Sequence, residues 1–297
     1  MTRQSKAELA LLATTFVWGS TFTFVKVSLP DISPILMGAV RFGFASTFFV
    51  LVFAKTIFPL PQGALAKGSL LGLFLFVGFI SQNIGMQYTT ASKSSFITSL
   101  MVVFVPFFQY FVERRPPTLG NVLGIAVVLI GLWFLTSPSG AEFNLGDGLT
   151  LFTAVVFALY IVYLDIASKA MSPMQLTFLQ SASTAFFSFV TAVGFEHMVF
   201  NPSRSMLLSL AYLTVFATII TTFVQTKYQK ETTPTRAVII FTVEPVWASI
   251  IAFIILGEQL GSLGLLGGAL IIAGVLVSEL SDKIPGLNTP IVKSANM

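Results

Sequence analysis

The sequence predicts an all-α polytopic membrane protein, ten transmembrane helices arranged as two inverted five-helix repeats. Three observations lead there. Of 297 residues, 55% are hydrophobic and 9% are charged, against roughly 25% charged in soluble domains. A water-soluble fold of this size would lack the charge to cover its surface. Ten apolar stretches each approach the ~20 residues with which an α-helix crosses ~30 Å of hydrocarbon. The lysines and arginines also collect on one side of those stretches, which is how cytoplasmic loops are marked. β-Barrel strands would be ~10 residues long with alternating polarity, a pattern the chain does not show.

The first span, 7–29, follows "MTRQSKAEL". That leader has the charge of a signal-peptide n-region. The apolar run behind it is too long and lacks a small-residue cleavage site, so a retained helix is expected. Further spans fall at 34–54, 67–88, 94–112, 118–135, 148–167, 173–194, 206–228, 235–256 and 262–280. The connections are short and several hold proline or glycine, among them "LPDISP", "FPLPQG", "ERRPP" and "NPSRS".

With the N-terminus inside, the inner side collects Arg3, Lys6, Lys55, Lys67, Arg114, Arg115, Lys169, Lys227, Lys230, Arg236, Lys283 and Lys293. Only Lys93 and Arg204 fall outside, while Lys26 and Arg41 lie within spans. The asymmetry puts both termini in the cytoplasm and the protein in the inner (cytoplasmic) membrane. The pI near 9.4 reflects this loop bias, and the partners expected are the bilayer and a small molecule, not nucleic acid.

The two halves, 1–140 and 141–297, repeat one another. "VSLPDISPILMGAVRF" lies over "IASKAMSPMQLTFLQS", bringing Pro34 over Pro173 at an offset of 139. Gly124 and Gly131 lie over Gly267 and Gly274 at an offset of 143, and Glu113 over Glu258 at 145. Five is an odd number of crossings, so the second copy enters from the opposite face. The result is an inverted repeat, in which substrate binds near the midplane between the halves.

The segments "FVWGSTFTFVK", "VRFGFAS", "EPVWASIIAFIILGE" and "GGALIIAGVLV" resemble the drug/metabolite transporter superfamily, EamA type, over about Ala7 to Leu280. The first-half counterpart departs from the pattern, with Pro106 seven residues before Glu113 where Pro245 stands thirteen before Glu258. The resemblance implies ten helices, alternating access and export of small polar metabolites. YddG-like amino-acid exporters are similar in size, so an amino acid is the substrate expected. Export of cationic drugs is the alternative.

Polar groups inside a span face a cavity or one another. Glu244 falls about 14 Å from the inner boundary at ~1.5 Å per residue, with Trp18 and Tyr160 at similar depth. Pro245 removes a helix hydrogen bond beside this carboxylate. Glu244 is then either a polar notch for an ammonium group or proton, or an acid packed against an internal base. Arg41 is the available base, and the alternative for it is outward snorkelling. At the repeat offsets Arg41 overlies Gln180 and Glu244 overlies Ser99. Lys26, three residues from its helix end, is expected to snorkel.

In "WGS", Gly19 permits close helix approach while Ser20 and Thr21 offer hydroxyls. Gln82, Tyr88, Tyr160, Tyr163, Gln180 and Trp247 would complete an aromatic and amide-lined pocket, with packing as each one's alternative. The patterns "GSLLG", "GNVLG" and "GLLGG" point to helix packing.

Other chemistries find no support. The chain has one histidine and no cysteine, so thiolate metal sites and disulfides are excluded. No nucleophile–base spacing or phosphate loop appears. No cofactor or metal is expected, and an intramembrane enzyme is the alternative of a different class. For oligomeric state, the monomer is the simplest expectation.

Overall fold

The computed structural model describes residues 2–136, 143–258, 262–281 and 284–291. Lys283 and Lys293 of the topology count lie outside them. The described chain forms α1 (Arg3–Ser28), α2 (Pro34–Ile57), α3 (Ala64–Gly85), α4 (Ala91–Glu113), α5 (Leu119–Thr136), α6 (Leu145–Ala170), α7 (Pro173–Phe195), α8 (Arg204–Glu231), α9 (Pro234–Leu256) and α10 (Ser262–Leu280). Eight are long and apolar enough to cross a membrane, while α5 and α10 contribute the shorter apolar stretches Leu119–Phe134 and Leu266–Ser278.

The starts follow from local chemistry. Proline opens α2, α7 and α9, where its missing N–H costs nothing. Side chains of Thr2, Thr90, Asn144, Ser172, Ser203 and Thr233 each accept a first-turn amide, satisfying donors that no helix can satisfy internally.

The radial distribution suits a lipid solvent. Large apolar side chains such as Phe44, Leu51, Phe195 and Ile254 point outward. The interior holds small and hydroxyl residues, including Thr153, Thr177, Ser181 and Thr226. Thr153, Thr177 and Thr226 are tolerated there because they donate to carbonyls of their own helix, Thr226 to Thr222 at 2.7 Å, whereas the Ser181 hydroxyl has no partner among the described residues.

Most packing runs between the two halves of the chain. α1 lies on α9 and α8, α6 on α4 and α3, α2 on α7, and α5 on α10. The like pairs are antiparallel. At one end of α2, the Ile35 and Leu36 amides donate to Glu196 just past α7; at its other end, Gln175 of α7 donates to the Ile57 carbonyl at 3.0 Å. In the α5–α10 pair Gly124 meets Gly274 and Gly131 meets Gly267, each close enough that an added Cβ would lie 2.8 Å from the partner's carbonyl oxygen.

The connections sort to two ends. One end joins Asp31 to Asn201, Lys93 to Asp147 (2.6 Å), and Glu258 to the Ala91 and Ser92 amides. The opposite end joins Glu8 to Arg236 (3.5 Å) and Leu119 to Thr289.

Two helices are broken in the middle. α4 consists of Ala91–Ser99 and Met101–Glu113, and α9 of Pro234–Phe241 and Glu244–Leu256. Each second segment has 13 residues and ends on a left-handed residue, Arg114 (φ 58°) and Gly257 (φ 70°). Thr90 and Thr233, the two N-caps, are 143 residues apart, as are Arg114 and Gly257. This register corrects the sequence alignment: Glu244 stands over Met101, not Ser99. Pro245 likewise occupies the first turn of a new helix segment, so it does not interrupt a continuous one.

Candidate functional site

At the level of the two breaks lies a cavity of about 80 Å³; ~10–15 Å³ on this measure holds one water molecule. Five of its wall residues are aromatic: Trp18, Phe79, Phe157, Tyr160 and Phe241. Polar atoms come from Thr21, Arg41, Gln82, Thr98, Thr222, Gln225 and Glu244. Leu75, Met101, Ile161 and Ala217 complete the wall.

Trp18 and Tyr160 occupy the same position in α1 and α6, fifteen residues after Arg3 and Leu145 in two helices of 26 residues. Each ring is fixed by a hydrogen bond. Trp18 Nε1 donates to Thr221 Oγ1 at 2.9 Å, and its ring meets the Phe241 ring edge-on at 5.1 Å. The Tyr160 hydroxyl donates to Gln180 Oε1 at 3.0 Å, and Gln180 Nε2 donates in turn to Thr226 at 2.9 Å. Gln180 therefore holds the wall from behind. Across the cavity, Gln82 Nε2 donates to Thr98 at 3.1 Å.

The two charges are held differently. The Arg41 guanidinium donates from Nε to Thr218 Oγ1 and from Nη2 to the Ala217 carbonyl at 2.9 Å. Its carbon lies 5.4 Å from the Phe42 ring centre and 4.9 Å from that of Phe79. Glu244 opens the second segment of α9, where the positive end of the helix dipole favours a carboxylate. It is 8% exposed. Among the described residues no ion pair joins Arg41 to Glu244.

Of the residues expected from sequence, Trp18, Thr21, Arg41, Gln82, Tyr160 and Glu244 meet at this cavity. The others stand elsewhere. Ser20 bonds Tyr212 at 2.8 Å, and Ser99 donates back to the Ser95 carbonyl. Tyr163 packs on Phe74, and Trp247 packs on Phe16. Gly19 lets α1 approach α9 so closely that a Cβ there would meet Trp247 Cβ at 2.6 Å. Tyr88 is 55% exposed at the end of the bundle.

Lys26 does not snorkel: its Nζ donates to the Met86 and Thr89 carbonyls at 2.5 and 2.7 Å, covering the C-terminal end of α3. The wall residues Thr98 and Met101 carry no mark in the sequence. For Thr222 and Gln225 the one signal is a helix polar along one face, which runs through "TTFVQTKYQ" of α8. A second recess of about 460 Å³ sits at the opposite end from Glu258, lined in part by Gln109, Arg115, Lys230 and Arg236.

A family model for the EamA-like transporter family matches residues 5–137 and again residues 144–280. The chain belongs to the EamA-like transporter family. Relatives of this EamA chain include an uncharacterized transporter of Archaeoglobus fulgidus, 32% identical over 92% of this chain and 86% of the relative. An uncharacterized inner membrane transporter of Escherichia coli, YedA, is 26% identical over 91% and 89% of the two chains. One crystal structure superposes with a TM-score of 0.77 over 93% of this chain and 97% of the other, at 17% identity. That likeness concerns the fold. The EamA protein is thus a multi-pass membrane transporter.

Proposed function

We propose that this EamA protein is a secondary transporter exporting small polar metabolites, amino acids first among them, across the inner membrane by alternating access. The observation that carries the reading is one cavity whose wall holds Arg41 and Glu244 unpaired with each other. An α-amino acid brings the complementary pair of charges.

The inverted repeat is part of the proposal. It draws support from the twofold family match and from the antiparallel course of α2 with α7 and α5 with α10. On this reading α5 and α10 complete ten crossings, both termini are cytoplasmic, and the recess near Arg115 is the cytoplasmic mouth. The halves are 1–140 and 141–297. A second reading, export of cationic drugs, would be favoured if Glu244 were the sole charge that binds the substrate, with Arg41 of the same wall taking no part.

Efflux from liposomes containing the purified protein decides between them, with a panel of amino acids and cationic dyes. Amino-acid flux that Glu244→Gln abolishes, per folded molecule, is the expected result. Dye flux alone would favour the second reading, and flux of neither class would remove both.

A further inference from the structure

A helix that departs from regular α geometry stands behind Arg41. α8 runs as an α-helix over Arg204–Thr214, widens into a π-turn over Val215–Ile220, and resumes at Thr221. π-Turns inside α-helices recur at functional sites because they displace backbone groups from the regular ladder. Here the Thr221 amide bonds to the Phe216 and Thr218 carbonyls, passing over Ala217. The Ala217 carbonyl accepts Arg41 Nη2 at 2.9 Å.

Thr218 shows the same adaptation. Its hydroxyl donates five residues back, to the Leu213 carbonyl at 2.9 Å. With that proton committed, Oγ1 is left only as an acceptor and presents a lone pair to Arg41 Nε. Thr218 is 0% exposed and is not itself part of the cavity wall.

We infer that Thr218 and the π-turn of α8 are positioning elements that hold Arg41 as a fixed anion subsite, so that Thr218 determines the preference for carboxylate-bearing substrates. The acceptors on Arg41 are neutral: a hydroxyl, a carbonyl and two ring faces. They satisfy donors without cancelling the charge. A guanidinium held in this way favours a carboxylate with matched geometry. Glu244, in the same wall, takes the ammonium group. The ligand class is therefore a small zwitterion, and Thr218 sorts it from the corresponding amine without touching either. This inference rests on the transport reading above.

The test compares alanine, leucine and phenylalanine with ethylamine, isoamylamine and phenethylamine, the amines left when each carboxyl group is removed. Half-saturation is measured in liposomes for wild type, Thr218→Val, Thr218→Ser and Thr218→Asp, using only protein that purifies as a single species. Thr218→Val is expected to raise the amino-acid value at least tenfold and leave the amine within twofold, with Thr218→Ser restoring the wild-type ratio. Thr218→Asp, which supplies Arg41 with a counter-charge, is expected to lose the amino acid and keep the amine.

Equal shifts for both partners of a pair, or no shift in either variant, would overturn the inference while leaving amino-acid transport standing. Wild-type flux of none of the three amino acids would remove the transport reading and this inference together. Should Thr218→Val fail to fold, the Thr218→Asp comparison with wild type decides the matter.

Discussion

At the residue scale, the site depends on hydrogen bonds that fix side chains which themselves do the contacting. Tyr160 is the clearest case, since its hydroxyl is the donor to Gln180 Oε1. Tyr160→Phe would leave a buried amide oxygen without that donor, at a cost of about 1–3 kcal/mol. A lowered unfolding temperature in detergent, with weakened substrate binding, is the expected outcome. An unchanged unfolding temperature would mean that Gln180 re-pairs at no cost. Trp18, Arg41, Gln82, Tyr160 and Glu244 were legible in the sequence because a large polar group in an apolar span is an anomaly. Thr98 and Thr222 were not. A hydroxyl in a transmembrane helix is ordinary, and only tertiary position decides which way it faces. Gln225 stands among other polar residues of α8, so it did not stand out as Gln82 did. Ser99 shows how sharp that limit is. Its alignment with Glu244 is two residues out of register, and two residues at ~100° each turn a helix to its opposite face.

At the element scale, regular packing and broken helices divide the work. The α5–α10 seam is built on glycines, with Gly124 against the Gly274 backbone and Gly131 against Gly267. Gly124→Val would drive a branched side chain into a backbone carbonyl that has no room to yield. The expected loss is about 1–3 kcal/mol, read as a lower unfolding temperature and faster loss of the purified protein. Transport per surviving molecule should persist, because the seam contributes no cavity residue. Normal stability would show that the helices separate without penalty. The existence of these elements was legible, since apolar length is a strong signal. The π-turn of α8 was not: "VFATII" holds neither glycine nor proline to mark it. The breaks in α4 and α9 coincide in register although their prolines do not, so proline alone was a poor guide to where each helix stops.

At the scale of the whole molecule, the connections separate into two sets joined across opposite ends of the bundle. The chain has no cysteine, so single cysteines report topology directly. Asn201→Cys is expected to react with an impermeant thiol reagent in intact cells, whereas Gln62→Cys should react only after the cells are opened. Labelling of both from outside, or of neither after opening, would contradict the ten-crossing arrangement.

The dominance of contacts between halves also bears on how the protein is made. The first five helices leave the ribosome before the helices they pack against have been synthesised. During that interval Arg41 has neither Thr218 nor the Ala217 carbonyl to bond with. An arginine at the centre of a span costs ~2.5–3.5 kcal/mol on insertion scales, and Arg41, two turns inside α2, bears part of that. The bilayer and the translocon must carry that charge until α8 arrives, some 160 residues later in translation. The last steps of assembly therefore belong to the C-terminal half. A nascent chain arrested after α5 would sit in the membrane as an unfinished surface, with its guanidinium waiting.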